Sequence, residues 1–382
     1  MKKKDTLEDG FIPHVPNDTL LNFMAGSLHP FRHSQSLLTN LMNCSGVEIE
    51  AKEINLGILI TPKVEGSVIA RLDDAAIFAS FHKSVEGKLK LKDVQLEDVR
   101  ATLHIMRDLV FGWTPGKFEQ AVLVLDSDLS VTNVKLLSAK DTEQHNAHDA
   151  YKFLTRECPD TIAVWLKPSS SIRFYAKGRL ICHLMRLRDA GGWAARNLKK
   201  LADYIIRTEA ARKSLDRDLS CLQDSRLIEE KILYPLIEIS EEKQGASVYV
   251  FHHSDWDRLV AEGKKVQHRG HPIDGTLETI RHRELMSYLL QDGSVVIDGT
   301  GKLLHVGTYF DGKGGRKSIA MDMSKKYGAS VFVSSQDGPI YYFSTNIPDA
   351  DRHNRIELEE SPQQNPYIRL DFFPTPDLTS AS

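Results

Sequence analysis

The chain is poor in cysteine. Its 382 residues hold four, Cys44, Cys158, Cys182 and Cys221, with no CxxC pair among them. That scatter offers neither a structural zinc site nor a disulfide framework, so reduced thiols and a cytoplasmic setting are expected. Long apolar runs are missing too. No stretch approaches the roughly 18 apolar residues of a membrane span, so no membrane association is expected. The opening MKKKDTLEDG has lysines with no apolar segment behind them, which is not the pattern of a secretory leader. An excess of either charge is also lacking: 49 Lys and Arg face 52 Asp and Glu, for a net charge of −3. A general grip on nucleic acid needs a basic surface, so nucleic acid is not an expected partner.

What is present is the composition of a folded protein, 41% hydrophobic and 26% charged, in a chain long enough for two or three domains. Residues 1–190 read as an N-terminal α/β or α+β domain of the kind that senses a signal. Strands are expected at 47–51, 56–60, 67–71 and 76–81, a helix at 96–111, a strand at 121–125, a helix at 147–156, and strands at 161–166 and 172–175 turned by Lys177-Gly178. Asp126 and Asp128 after a strand suit either magnesium or a helix cap. His145 and His148 are too few for a metal site. Gly191-Gly192 marks a boundary. Residues 191–226 read as a helical connector, carrying Leu198, Leu201, Ile205, Leu219 and Leu222 with charges between them. Residues 347–382 form a proline-rich, partly disordered tail, with one added strand expected at 367–373.

The informative stretch is 291–343. Apolar runs at 294–297 and 303–309 flank the turn Asp298-Gly299-Thr300-Gly301, a hairpin signal. A glycine-rich basic loop, 311–317, leads into a helical pattern from Ser318 through Ile319, Met323 and Tyr327, closed by Gly328. Strands follow at 330–334 and 340–343, joined by Gln336-Asp337-Gly338-Pro339. Gly312, Gly314 and Gly315 let a backbone approach a ligand, and Arg316 and Lys317 add cations where a helix begins. That is the make-up of a phosphate cradle, although it is not a P-loop. A flexible loop with solvated cations has the same composition.

Taken together, residues 227–346 resemble the diadenylate cyclase domain family, giving a mixed-sheet α/β domain. Asp292-Gly293-Ser294 stands where that family has DGA. Gly314-Gly315-Arg316-Lys317-Ser318-Ile319-Ala320 stands at GTRHRAA, and Ser335-Gln336-Asp337-Gly338 near SEETG. Residues 232–251 are similar to the opening helix, the TGA turn (here Gln244-Gly245-Ala246) and the first core strand.

The resemblance implies joining two ATP into cyclic di-AMP with release of pyrophosphate, across two facing subunits, with a divalent metal such as magnesium or manganese. It makes Asp292 the catalytic base or metal-linked activator. It puts Gly293 and Ser294 against the ribose. Gly314, Gly315, Arg316, Lys317, Ser318, Ser335 and Gln336 would hold the nucleotide. This chain departs from the pattern at Gly315, Lys317 and Ser318, where the family has threonine, histidine and arginine, and at Gln336 or Ser335, where it has glutamate. A protonated lysine is not a metal ligand. A nucleotide-binding regulator without catalysis is therefore the alternative. Arg281-His282-Arg283 reads as a solvated helix face. His252, His253, Asp255 and Asp257 read as a strand-end turn with a helix cap at Ser254 or Asp255, and His268 and His271 as loop residues.

Overall fold

The computed structural model describes residues 41, 48–49, 52–53, 55–61, 119–126, 131–138, 147–167, 171–186, 193–210, 219–263, 266–291, 293–312, 315–336, 339–345 and 367–369. The fold is α/β, with two mixed sheets and helices. By compactness the chain divides between Arg186 and Leu187.

In the N-terminal unit, β1 (Glu48–Ile49) and β2 (Lys52–Glu53) form a short hairpin. β3 (Leu56–Ile60), β4 (Glu119–Leu125), β5 (Val131–Ser138), α1 (Ala147–Glu157), β6 (Ile162–Lys167), β7 (Ser171–Ala176) and β8 (Arg179–Arg186) follow. Within this unit the strand order is β5-β4-β3-β6-β7-β8. β3 and β4 are parallel, and the other pairs are antiparallel. β3 is buried along its whole length, as its unbroken apolar run demands. His148 sits on α1 and contacts the Tyr175 hydroxyl at 3.1 Å through Nδ1. The elements expected at 67–71, 76–81 and 96–111, together with Asp128 and His145, lie outside the described residues.

The connector begins differently from its sequence reading. Trp193–Arg196 is a strand, β9, and the helix α2 (Leu198–Ala210) starts only after Asn197. Asn is a favoured residue at that boundary. Glu209, in the last turn of α2, is 1% exposed. Its Oε1 accepts hydroxyls from Ser330 at 2.7 Å, Ser344 at 2.9 Å and Tyr342. A buried carboxylate needs such donors, because leaving water is costly for a charge.

A 3-10 turn, Ser220–Gln223, leads to a continuous helical run. Its π-helical part, Ile228–Leu233, passes into α3 (Tyr234–Glu241); Pro235 has no N–H to give to the preceding turn, and the wider π turn lies just before it. Next come β10 (Ala246–Phe251), α4 (His253–Glu262), β11 (Val266–His268), β12 (His271–Pro272), α5 (His282–Leu289), β13 (Ser294–Asp298), β14 (Leu303–Phe310), α6 (Arg316–Tyr327), β15 (Ser330–Ser334), β16 (Ile340–Phe343) and β17 (Tyr367–Arg369). The sheet order is β11-β14-β13-β10-β15-β16-β17, with β12 also on β14. Only β10 and β13 are parallel.

Alternation sorts the side chains of this sheet into two faces. Tyr249, Phe251, Val296, Val331, Val333, Tyr341 and Phe343 pack with Trp256 and Leu259 of α4 and Ala320, Met323 and Tyr327 of α6. Each fully buried side chain of this size contributes about 1.5–3 kcal/mol. Ser330 and Tyr342 point to the other face, where Glu209 meets them. The turn after β13 is tied by Asp298, whose Oδ1 accepts from Thr300 N at 2.9 Å and Lys302 N at 3.0 Å.

Several local expectations are corrected. His268 and His271 lie in the short strands β11 and β12, not in loops. α4 is capped at His252, with no side-chain cap bond, rather than at Ser254 or Asp255. His282 is not simply solvated: its Nε2 lies 2.6 Å from Glu238 Oε2 on α3. α6 begins at Arg316, two residues before the expected Ser318. The tail strand includes Tyr367–Arg369; the rest of the expected strand, 370–373, lies outside the described residues.

Candidate functional site

Segments distant in sequence meet at one edge of the C-terminal sheet. β10 and β13 run parallel with Val248 opposite Val295, so the chain enters both strands at the same edge. Residues 244–246 lead into β10 there, and residues 293–294 into β13. β15 is antiparallel to β10 with Ser334 opposite Ala246, so it leaves the sheet at that edge towards Ser335 and Gln336. α6 starts there as well, because Arg316 reaches Gly245. A Cβ on Gly245 would lie 2.6 Å from Arg316 Nη1 and 3.4 Å from the Ser334 carbonyl oxygen.

Glycine at 293 has a packing reason. Its φ is +112°, and a Cβ there would stand 2.7 Å from the carbonyl carbon of Gly307 on β14. No other residue fits both the dihedral and the close approach. The adjoining Ser294 is the first residue of β13 and is buried. Its Oγ lies 2.8 Å from Ser247 Oγ. Burial pushes the nearby Tyr249 hydroxyl well above the usual tyrosine range. Ser247, the Arg316 charge and Ser294 oppose that rise without cancelling it. Tyr249 is therefore a neutral hydroxyl at ordinary pH, in a buried cluster that feels the Arg316 guanidinium.

The start of α6 is electrostatically unusual. Gly315 is the N-cap and supplies no side chain to the first N–H groups, and the first turn has no acidic residue. Instead it carries Arg316 and Lys317. Cations at the positive end of a helix dipole each cost about 0.3–1 kcal/mol, a cost that a bound anion offsets. Lys317 is held by Tyr341: its Nζ donates to the hydroxyl at 2.8 Å and lies 4.0 Å from the ring centroid. Ser318 N donates to the Gly315 carbonyl at 3.0 Å, tightening the turn.

The structure thus gathers Gly293, Ser294, Gly315, Arg316, Lys317 and Ser318 around one sheet edge. Ser335 continues from β15, with its N–H on the Pro339 carbonyl at 2.9 Å, and Gln336 is exposed. Asp292, Gly314, Asp337 and Gly338 lie outside the described residues. Sequence reading missed Ser247, Tyr249 and Tyr341. The first two sit in a strand buried along its whole length, where no pattern sets them apart, and nothing in the strand sequence 340–343 marks Tyr341 as the partner of a lysine.

Among the described residues no group of three His, Cys, Asp or Glu could hold an ion. Where a metal-binding histidine would be wanted, the ammonium of Lys317 is engaged by a tyrosine.

No helix among the described residues is long and apolar enough to cross a membrane. No protein-family model and no curated protein matches the chain. Among the solved structures with a distant likeness are two. One is a double-cysteine variant of DacA from Staphylococcus aureus, at 16% identity over 31% of this chain and 86% of that one, with a TM-score of 0.24. The other is a hypothetical membrane spanning protein from Bacillus cereus, at 15% identity over 39% of this chain and 89% of that one, with a TM-score of 0.25. At TM-scores this low, neither likeness bears on the chemistry of the site.

Proposed function

We infer that the C-terminal unit is a nucleotidyltransferase that condenses two ATP into cyclic di-AMP, controlled by the N-terminal unit. One observation carries this reading. Gly293 and Ser294 lead into β13 at the sheet edge where Arg316 lies against Gly245 and α6 presents two cations with no acidic residue in its first turn. Cations fixed at a helix start suit a phosphate chain, and a serine at the strand start suits a ribose.

In the proposed reaction, the 3′-oxygen of one ATP attacks the α-phosphorus of the other. A phosphoester bond forms, the α–β bond breaks, and pyrophosphate leaves. The proton of the attacking hydroxyl passes to Asp292. Arg316, Lys317 and the first amides of α6 neutralise charge building on the phosphates. Repetition with the roles reversed closes the ring. Each subunit supplies half of the reacting atoms, so a face-to-face homodimer is the working unit. A divalent ion such as magnesium or manganese would add to the neutralisation of the phosphates, with Asp292 as its candidate protein ligand.

One feature favours the alternative, a nucleotide-binding regulator without turnover: the exposed Gln336, or Ser335 beside it, stands where the family resemblance expects a glutamate. The test is mass spectrometry of products after incubating pure protein with ATP and manganese. The catalytic reading expects cyclic di-AMP from the wild type and none from Asp292→Asn. No product from the wild type, or equal product from the variant, contradicts it.

A further inference from the structure

Segment 193–223 is tied to the rest of the C-terminal unit at three points. Arg196, buried on β9, donates from Nη2 to Ser240 Oγ on α3 at 3.2 Å. Glu209 on α2 accepts the hydroxyls of Ser330, Tyr342 and Ser344. In the 3-10 turn, the Cys221 N–H donates to the Gly299 carbonyl at 3.0 Å, and Ser220 Oγ donates to the same oxygen at 3.5 Å. The last two holds share a feature. Ser330 opens β15, which leaves the sheet towards Ser335 and Gln336. Gly299 follows Asp298, the last residue of β13, and Ser294 is the first. Each strand is thus held at the end remote from the candidate site, about 13 Å away. Both strands are hydrogen-bonded on either side, so a displacement at one end passes along the strand.

The run that follows contains an element with two registers. Ile228–Leu233 is π-helical, and the Tyr234 N–H reaches back to the Glu229 carbonyl. Such turns are rare and cluster at functional sites. Pro235 favours the wide turn, because in a plain α-helix its ring meets the carbonyl of the preceding turn. α3, beyond the π turn, packs against β15 and β16. Taking up one residue to turn π into α would rotate everything before it by about 100° relative to α3. Cys221 would then leave Gly299.

We propose that segment 193–233 is a regulatory strap whose π register holds β13 and β15 in line for the nucleotide site and whose α register releases them. The inference rests on the reading of that sheet edge as a nucleotide site. It supplies the route by which a change in the N-terminal unit, which precedes the strap in the chain, reaches the site. Both ends bias one two-state element, as coupling between distant sites requires. Nucleotide stabilises the π register, and by reciprocity the π register raises nucleotide affinity. Pro235 and Glu209 act through the strands and are positioning residues.

The test is hydrogen exchange of the full chain, read by mass spectrometry, with and without a non-hydrolysable ATP analogue in magnesium. Calorimetry of the same protein measures binding of the analogue. In the wild type, saturating analogue is expected to slow exchange of residues 219–223 at least about fivefold. Pro235→Ala frees the run to become α-helical. Without nucleotide, its residues 219–223 are expected to exchange at least about fivefold faster than those of the wild type, and its affinity for the analogue to fall by a similar factor. A melting curve checks that the variant folds; if it does not, the wild-type comparison decides alone. An analogue that binds without altering exchange at 219–223, or a folded Pro235→Ala protein that matches the wild type in exchange and affinity, overturns the strap and leaves the nucleotide site standing. An analogue that fails to bind the wild type overturns both.

Discussion

The guanidinium of Arg316 lies across the backbone of Gly245, so close that a Cβ on the glycine would stand 2.6 Å from Nη1. Two residues far apart in sequence therefore fix each other. Gly245→Ala must push the guanidinium aside. The obstacle is the far end of a flexible side chain, so the fold should tolerate the change while the cation moves. Nucleotide affinity is expected to fall about tenfold with little change in melting temperature. Titration and thermal melting of the variant check both parts.

Glu209 is the corresponding anchor on the other face of the sheet. Removing its carboxylate leaves the buried hydroxyls of Ser330, Tyr342 and Ser344 without the acceptor they share. Glu209→Ala should cost about 2–4 kcal/mol locally, and Glu209→Gln less, since an amide oxygen still accepts. Hydrogen exchange of β15 and β16 is the measurement. Faster exchange confined to these strands is expected.

His305 predicts an acid-side loss of stability. Its Nδ1 is buried without a hydrogen-bond partner, and its ring lies 5.4 Å from that of Trp256. Burial, and then the Arg269 charge, hold its pKa below the ordinary 6.5. The unfolded chain therefore takes up a proton that the folded chain resists. The contribution is complete above 6.5 and is lost as pH falls through that value towards the folded pKa. His305→Phe should flatten this slope in melting curves recorded across a pH series.

The thiols should divide by burial. Burial pushes the Cys182 thiol up to about 12, and Cys221 is also buried, while Cys158 is partly exposed. Reactivity follows the thiolate. Alkylation of the native protein at mildly alkaline pH should modify Cys158, leaving Cys182 and Cys221 for the denatured chain. Peptide mapping reads this directly.

The hairpin of β13 and β14, α6, and the β15–β16 pair were legible because turn residues and glycine caps punctuate them. Asp298-Gly299-Thr300-Gly301 and Gly328 did most of that. β5 went unread because its apolar residues Val131, Val134 and Leu136 do not keep a clean alternation. β9 went unread because nothing breaks the chain between Trp193 and α2. β12 contains Pro272, and proline argues against a strand except at an edge or bulge, which is where this one pairs. At the site, the cationic helix start was legible as composition. The contacts of Arg316 with Gly245 and of Lys317 with Tyr341 were not, since they join residues distant in sequence that only the parallel β10–β13 pair and the antiparallel β10–β15 and β15–β16 pairs bring together.

The central claim is that the start of α6 seats a triphosphate beside the Asp292 turn. A crystal structure of the full chain with a non-hydrolysable ATP analogue tests it most directly. The account predicts phosphate oxygens within hydrogen-bond distance of the Arg316 guanidinium and the Lys317 ammonium, with the ribose facing residues 292–294. An analogue bound elsewhere on the chain, with this sheet edge bare, would contradict it.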